Sequence, residues 1–187
     1  MMHCIRGRCL RWLRLLWLTV AILVCASASG CARRGVRPPA TARDVLDAML
    51  GEVREEVAPD GEIYEGDGAD HGTLVSALYG EGSRRWFDAD GETLATVDEV
   101  AMFLPCAMHP MEIAVFRCPD ATRGARDVAA ACRARLSVIE NAWADTEYAS
   151  WIEAATVSVE GQFVILAVYD DPDVILQAAR AVIKRGG

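Results

Sequence analysis

The chain opens on a segment unlike the rest of it: Arg6, Arg8, Arg11 and Arg14, then an apolar run from Leu15 to Ala28, with the first carboxylate only at Asp44. A basic stretch, an apolar stretch of this length and small residues at its end are the three parts of a secretory signal peptide. The run falls short of the roughly 20 apolar residues of a spanning helix, so an uncleaved transmembrane anchor is the weaker reading. The segment therefore predicts that folding happens outside the cytoplasm and that the first 30 residues take no part in the fold.

The residues at the cut make the reading more specific. Ala28-Ser29-Gly30-Cys31 looks like a lipobox, in which the cysteine is acylated on sulfur and becomes the first residue of the mature chain. Ala28 stands where Leu is usual. Two or more acyl chains hold a protein stably at a bilayer, since each buried methylene contributes about 0.8 kcal/mol. Residues 31–40, with Arg33, Arg34, Arg37 and the Pro38-Pro39 pair, read as a short stiff tether whose arginines suit anionic headgroups. The division expected is a signal peptide over 1–30, a lipidated tether over 31–40 and one domain over 41–187.

Cleavage before Cys31 leaves 157 residues, enough for one domain with its own core. It keeps all 27 acids but 15 of the 19 basic residues, a net charge of −12. Such a surface lacks the basic footprint that nucleic acid requires and keeps the domain off an anionic bilayer except through the tether. Cys106, Cys118 and Cys132 follow Cys31 in the mature chain. An oxidising location permits one bridge among them, with the pairing left open, and the odd number leaves one thiol over unless molecules pair.

Periodicity predicts an α+β domain. Thr41 to Val57 reads as a helix capped by Thr41 and Asp44, with Val45, Met49, Val53 and Val57 on one face. Residues 59–72 read as a polar surface loop and Thr73 to Tyr79 as a short helix. Strands are predicted over Val97–Pro105 and Met111–Cys118, and a long helix from Thr122 to about Trp143. A further pair of strands, Ala155–Val159 and Gln162–Tyr169, turns at Glu160-Gly161. Asp171-Pro172 starts a last helix that ends in Lys184, Arg185 and two glycines. The core order over 97–185 is ββαββα: a four-stranded, mostly antiparallel sheet with two helices on one face, preceded by the N-terminal helix. Two strands look apolar on both sides, so the N-terminal helix and the Leu74–Tyr79 segment are expected to cover the second face.

With the lipobox, the N-terminal helix, Leu78-Tyr79-Gly80, and Met111-Glu112-Ile113-Ala114-Val115-Phe116-Arg117 followed by Asp120 and a helix, the chain resembles a family of bacterial lipoproteins known as domain of unknown function 4358. The likeness spans roughly residues 42–184. It implies a location and an architecture, those of small anchored proteins of Gram-positive bacteria, and carries over no catalytic residue. Cys118 stands where a small or apolar residue would serve and acquires no role from it.

Two patterns suit metal ions. Cys106, Met108, His109 and Met111 would offer thiolate, thioether and imidazole to a soft ion such as Cu(I), although methionines beside a Pro110 turn are equally core and turn residues. Asp88, Asp90 and Glu92, with Glu99 at the twelfth place, resemble a Ca2+ loop, but the sixth place is Thr93 where the sharp turn needs glycine. A small hydrolase would need His71 or His109 beside a thiol or carboxylate, and no nucleophile elbow, phosphate loop or Cys-x-x-Cys motif is present. The expectation is a lipid-anchored module on the extracytoplasmic face of the cell membrane. It binds a protein or envelope component through the domain, without a cofactor and without catalysis. A metal-binding lipoprotein, and behind it a hydrolase, are the rival readings.

Overall fold

The computed structural model describes residues 39–67, 96–106 and 108–186. Contacts divide the chain into units 1–38 and 39–187, and the described residues all belong to the second. Cys31, the lipobox, His71, the Thr73–Tyr79 helix with Leu78-Tyr79-Gly80, Trp86, Phe87, and the Asp88, Asp90 and Glu92 carboxylates lie outside them.

Helix α1 (Ala42–Leu50) begins where the sequence places it. The Thr41 hydroxyl accepts the Asp44 N–H at 3.0 Å and the Asp44 carboxylate accepts the Thr41 N–H at 3.0 Å, so two of the donors that every helix start leaves open are satisfied reciprocally. Ala42, Val45, Leu46 and Met49 are buried. The helix stops seven residues earlier than its periodicity predicts. Gly51 follows it, and residues 52–58 continue as separate turns. Val53 and Val57 still pack on the core from those turns, so their spacing reports a buried face without a helix.

Strands β1 (Gly61–Asp67), β2 (Glu99–Pro105) and β3 (Glu112–Arg117) come next. They are followed by α2 (Arg123–Trp143), α3 (Ala149–Ala154), β4 (Thr156–Glu160), β5 (Phe163–Val168) and α4 (Pro172–Gly186). The sheet has five strands in the order β1-β2-β3-β5-β4, with every neighbouring pair antiparallel. The α+β class and the β2–β3 and β4–β5 pairings are as expected, but the four-stranded count is corrected by β1, which occupies the stretch read as a loop, and the ββαββα order by α3, which stands between α2 and β4. It pairs along β2 from Gly61 opposite Pro105 to Asp67 opposite Glu99. An edge strand is bonded on one side only and tolerates Glu62 and Glu65, and Ile63 is the residue it adds to the core. Gly61 lets it come close, since a Cβ there would sit 2.3 Å from the Phe103 ring.

The helices correct the expectation too: α2 and α4 lie on opposite faces. Val100, Met102, Ala114, Phe116, Val164 and Leu166 point toward α2, whose Ala125, Val128, Ala129, Cys132 and Ile139 complete one core. Ala101, Phe103, Ile113, Val115, Ile165 and Ala167 point the other way, toward Val45, Leu46 and Met49 of α1 and Ile175, Leu176 and Ala179 of α4. Lengths explain the arrangement. With about 1.5 Å of rise per residue, the 21 residues of α2 reach along a whole face, whereas the nine of α1 do not. The second face is closed only by α1 and α4 together. Strand β5 is buried at every position and β3 at all but its last, as befits the middle of three layers. Gly161, at φ 64°, makes the β4–β5 turn.

Candidate functional site

The residues proposed for a soft metal diverge. The Cys106 side chain is exposed, and its backbone N–H donates to the Asp60 carbonyl at 2.8 Å. Met108 is 91% exposed, whereas Met111 is 1% exposed and packs in the α1/α4 core. His109 accepts the Met111 N–H on Nδ1 at 3.1 Å, which in the neutral ring leaves the proton on Nε2. Its ring stands edge-on to Tyr148 at 4.8 Å and Trp151 at 5.2 Å, and this burial holds its pKa below the usual histidine value. Among the described residues no three or more His, Cys, Asp or Glu side chains are placed to hold a metal ion.

Of the acids assigned to the Ca2+ loop, Glu99 is described, and it serves the fold. One carboxylate oxygen accepts the Ala42 N–H at 2.9 Å and the other meets Arg117 at 2.8 Å. Glu99 thereby ties the start of α1 to the sheet. Asp120, the acid of the strand-to-helix motif, receives the N–H groups of Thr122 and Arg123 at 2.8 and 3.2 Å and the Thr122 hydroxyl at 2.6 Å. The Thr122 hydroxyl, and then these N–H groups, hold its pKa below the usual carboxylate value. Asp120, rather than the Thr122 predicted to begin the helix, closes its first turn. The three thiols of the domain are free. Cys118 and Cys132 are buried in the core between the sheet and α2, Cys132 on α2 itself; burial pushes Cys118 up to about 11 and raises Cys132 as well. Both are therefore protonated and poor nucleophiles at neutral pH.

Sequence reading did not find a chain of aromatic rings at the end of the sheet where β3 begins and β5 finishes. His109, Trp151 and Tyr169 follow one another edge to face, and Tyr148 links His109, Trp151 and Trp143, with centroids 4.8–5.7 Å apart. At these separations the rings fill one another's faces, seating α3 and the β2–β3 connection against the domain. The buried Tyr169 accepts the Arg54 N–H on its hydroxyl at 3.1 Å, and the Arg54 guanidinium pairs with Asp170. The other Asp170 oxygen is buried and has no hydrogen-bond partner. Open clefts of about 490 and 270 Å3 flank this residue, the larger lined by Thr156, Ser158, Asp171 and Asp173, the smaller by Glu52, Tyr169 and Val174. The closely spaced Trp143, Tyr148 and Trp151 were the available signal, but His109 and Tyr169 join them only through the fold. Beside them Glu112, 4% exposed, holds Arg135 through bonds of 2.9 and 3.3 Å.

No helix among the described residues is long and apolar enough to cross a membrane. No family model, curated protein or solved structure matches the chain. The likeness to the lipoprotein family thus rests on the residues quoted for it.

Proposed function

We propose that this protein is a lipoprotein held at the extracytoplasmic face of the cell membrane through acylated Cys31, and that its domain is a non-enzymatic module for a protein or envelope component. The observation that carries the reading is the order of four arginines, an apolar run and Ala28-Ser29-Gly30-Cys31 at the head of an otherwise acidic chain. The resemblance to domain of unknown function 4358 belongs to the same proposal. Support for binding rather than catalysis comes from how the reactive side chains are used: Cys118 and Cys132 fill a core, Glu99 and Asp120 hold helix ends, and His109 is packed among rings.

The test is the intact mass of the protein extracted from membranes, beside a Cys31→Ser variant. The expected result is a chain running from Cys31 to Gly187 with acyl chains attached, and loss of both cleavage and acylation in the variant. An unacylated mass for the native protein overturns the anchor. Native mass spectrometry of residues 32–187 with Cu(I) and with Ca2+ tests the binding half. Stoichiometric metal would replace the macromolecular partner with an ion.

A further inference from the structure

The two edges of the sheet are built differently. Strand β1 carries Glu62 and Glu65 along one, and β4, with the sequence Thr156-Val157-Ser158-Val159-Glu160, forms the other. The ladders show which backbone groups β4 turns outward. The Cys118 N–H donates to the Gln162 carbonyl at 2.8 Å, one step past Arg117 opposite Phe163. Bonded and unbonded positions alternate in an antiparallel pair, so Phe116–Val164 and Ala114–Leu166 are the bonded pairs between β3 and β5. Phe163, Ile165 and Ala167 then bond the other way, to Glu160, Ser158 and Thr156. The N–H and C=O groups of Val157 and Val159 are left pointing away from the sheet. Among the described residues no backbone hydrogen bond reaches them.

Proteins guard such an edge against pairing with lysine, proline or a bulge. Strand β4 has neither residue and pairs with β5 at five consecutive positions without a bulge. Its single charge, Glu160, accepts the Ser158 hydroxyl at 2.7 Å and the Arg180 Nε–H at 2.8 Å. On the α2 face Val159 is 44% exposed, although its cross-strand neighbour Val164 is wholly buried, and Val157 packs on the core only in part. On the α4 face Thr156 and Ser158 line an open cleft with Asp173 and Arg180. These two charges lie seven residues apart on one side of α4, and Lys184 follows one turn after Arg180. The flank of α4 beside β4 therefore runs from acidic near Thr156 to basic near Glu160.

We propose that the β4 edge pairs with the β4 edge of a second copy of this chain, antiparallel, about a two-fold axis through Ser158. That register sets Val157 opposite Val159 of the second copy and Val159 opposite its Val157. The outward groups of the four valines then exchange four N–H···O=C bonds, and their side chains meet on the α2 face as cross-strand pairs. On the α4 face Thr156 opposes Glu160 of the second copy, which brings Asp173 of each copy toward Arg180 of the other. A strand from a different protein would satisfy the same backbone groups. The helix flank favours a second copy, because an acidic-to-basic order complements itself when reversed. The same surface patch serves both partners, as a two-fold interface requires. Five strand residues and one helix flank make a small contact, so the dimer is expected to dissociate on dilution. The pairing is independent of the acylation of Cys31, and its failure would leave the anchor untouched.

The test is disulfide trapping of the full chain in opened cells treated with copper phenanthroline, followed by digestion and mass mapping. The background is Cys106→Ser, Cys118 and Cys132 being buried. On the axis, Ser158→Cys faces its own copy at a Cα separation of about 4.5 Å, within the roughly 4.4–6.8 Å that a disulfide spans. Thr156→Cys lies four residues out of register with its copy, roughly 13 Å away and beyond reach. The expected result is a disulfide between the introduced thiols of two Ser158→Cys chains and none between two Thr156→Cys chains. A disulfide in both variants, or in neither, overturns the register and with it the proposal. Capture of a chain of different mass by Ser158→Cys also overturns it, in favour of a foreign strand on this edge. Native mass spectrometry of the chain without introduced cysteines gives a second reading. Val159→Lys, at an exposed position, should abolish the doubled mass while leaving thermal unfolding unchanged; a doubled mass that survives it refutes pairing through β4.

Discussion

At the scale of single residues, Glu99, Asp120 and Tyr169 serve helix ends and loops. Glu112 and Arg135 are the deepest pair, bonded across the sheet–α2 layer. Breaking a buried pair by removing one partner takes the counter-ion from the charge left behind, which destabilises by about 3 kcal/mol. Arg135→Ala should therefore lower the urea midpoint sharply without changing the slope, and Arg135→Met with Glu112→Leu together should recover much of the loss. Recovery no better than the single variant would mean that the arginine acts through something other than this charge. His109 gives a pH dependence with a definite sign. Its folded pKa lies below its unfolded value because burial disfavours the imidazolium. The unfolded state thus binds the extra proton first, and this contribution is present above the unfolded value of about 6.5. It is lost as pH falls from there through the folded pKa. Urea titrations between pH 8 and 5 should show a steeper fall for the native chain than for His109→Phe, and parallel curves would refute the assignment.

At the scale of elements, β1 is the piece whose existence depends most on its surroundings. Its seven residues hold two glutamates, two glycines and a single aliphatic side chain, Ile63, a composition that reads as loop until β2 offers a ladder. The contact that fixes it is Gly61 against Phe103. Gly61→Val would force the ring or the strand aside, and overpacking of this kind destabilises by roughly 1–3 kcal/mol. Hydrogen exchange should then speed up at β1 amides far more than at β3 or β5, whereas uniform acceleration would show that β1 is not a separable edge. The starts of α1 and α4 and the β4–β5 turn were easier to read, because they are set locally. The Thr41–Asp44 pair, Pro172 at the start of α4 and Gly161 in the β4–β5 turn each act within a few residues of chain.

At the scale of the whole molecule, the two cores share β2, β3 and β5, so neither face of the sheet persists without the other. Ending the chain at Asp171 would remove Ile175, Leu176 and Ala179 and leave Ile165, Ala167 and Ile113 covered by α1 alone. The shortened chain is expected to lose cooperative thermal unfolding altogether, as followed by circular dichroism; a sharp transition would mean that α1 suffices. What the sequence by itself determined was the α+β class, most element positions, and the starts of α1 and α4, since side-chain periodicity, capping and turn chemistry are short-range properties. What only the tertiary structure decided was which stretch joined the sheet as β1, which face each helix took, and where chemically suggestive residues ended up. Met111 went into a core and Met108 into solvent, Glu99 went to the start of α1, and His109 went to Tyr148 and Trp151. Spacing along the chain cannot settle such outcomes, because they depend on strand register and on burial against elements dozens of residues away.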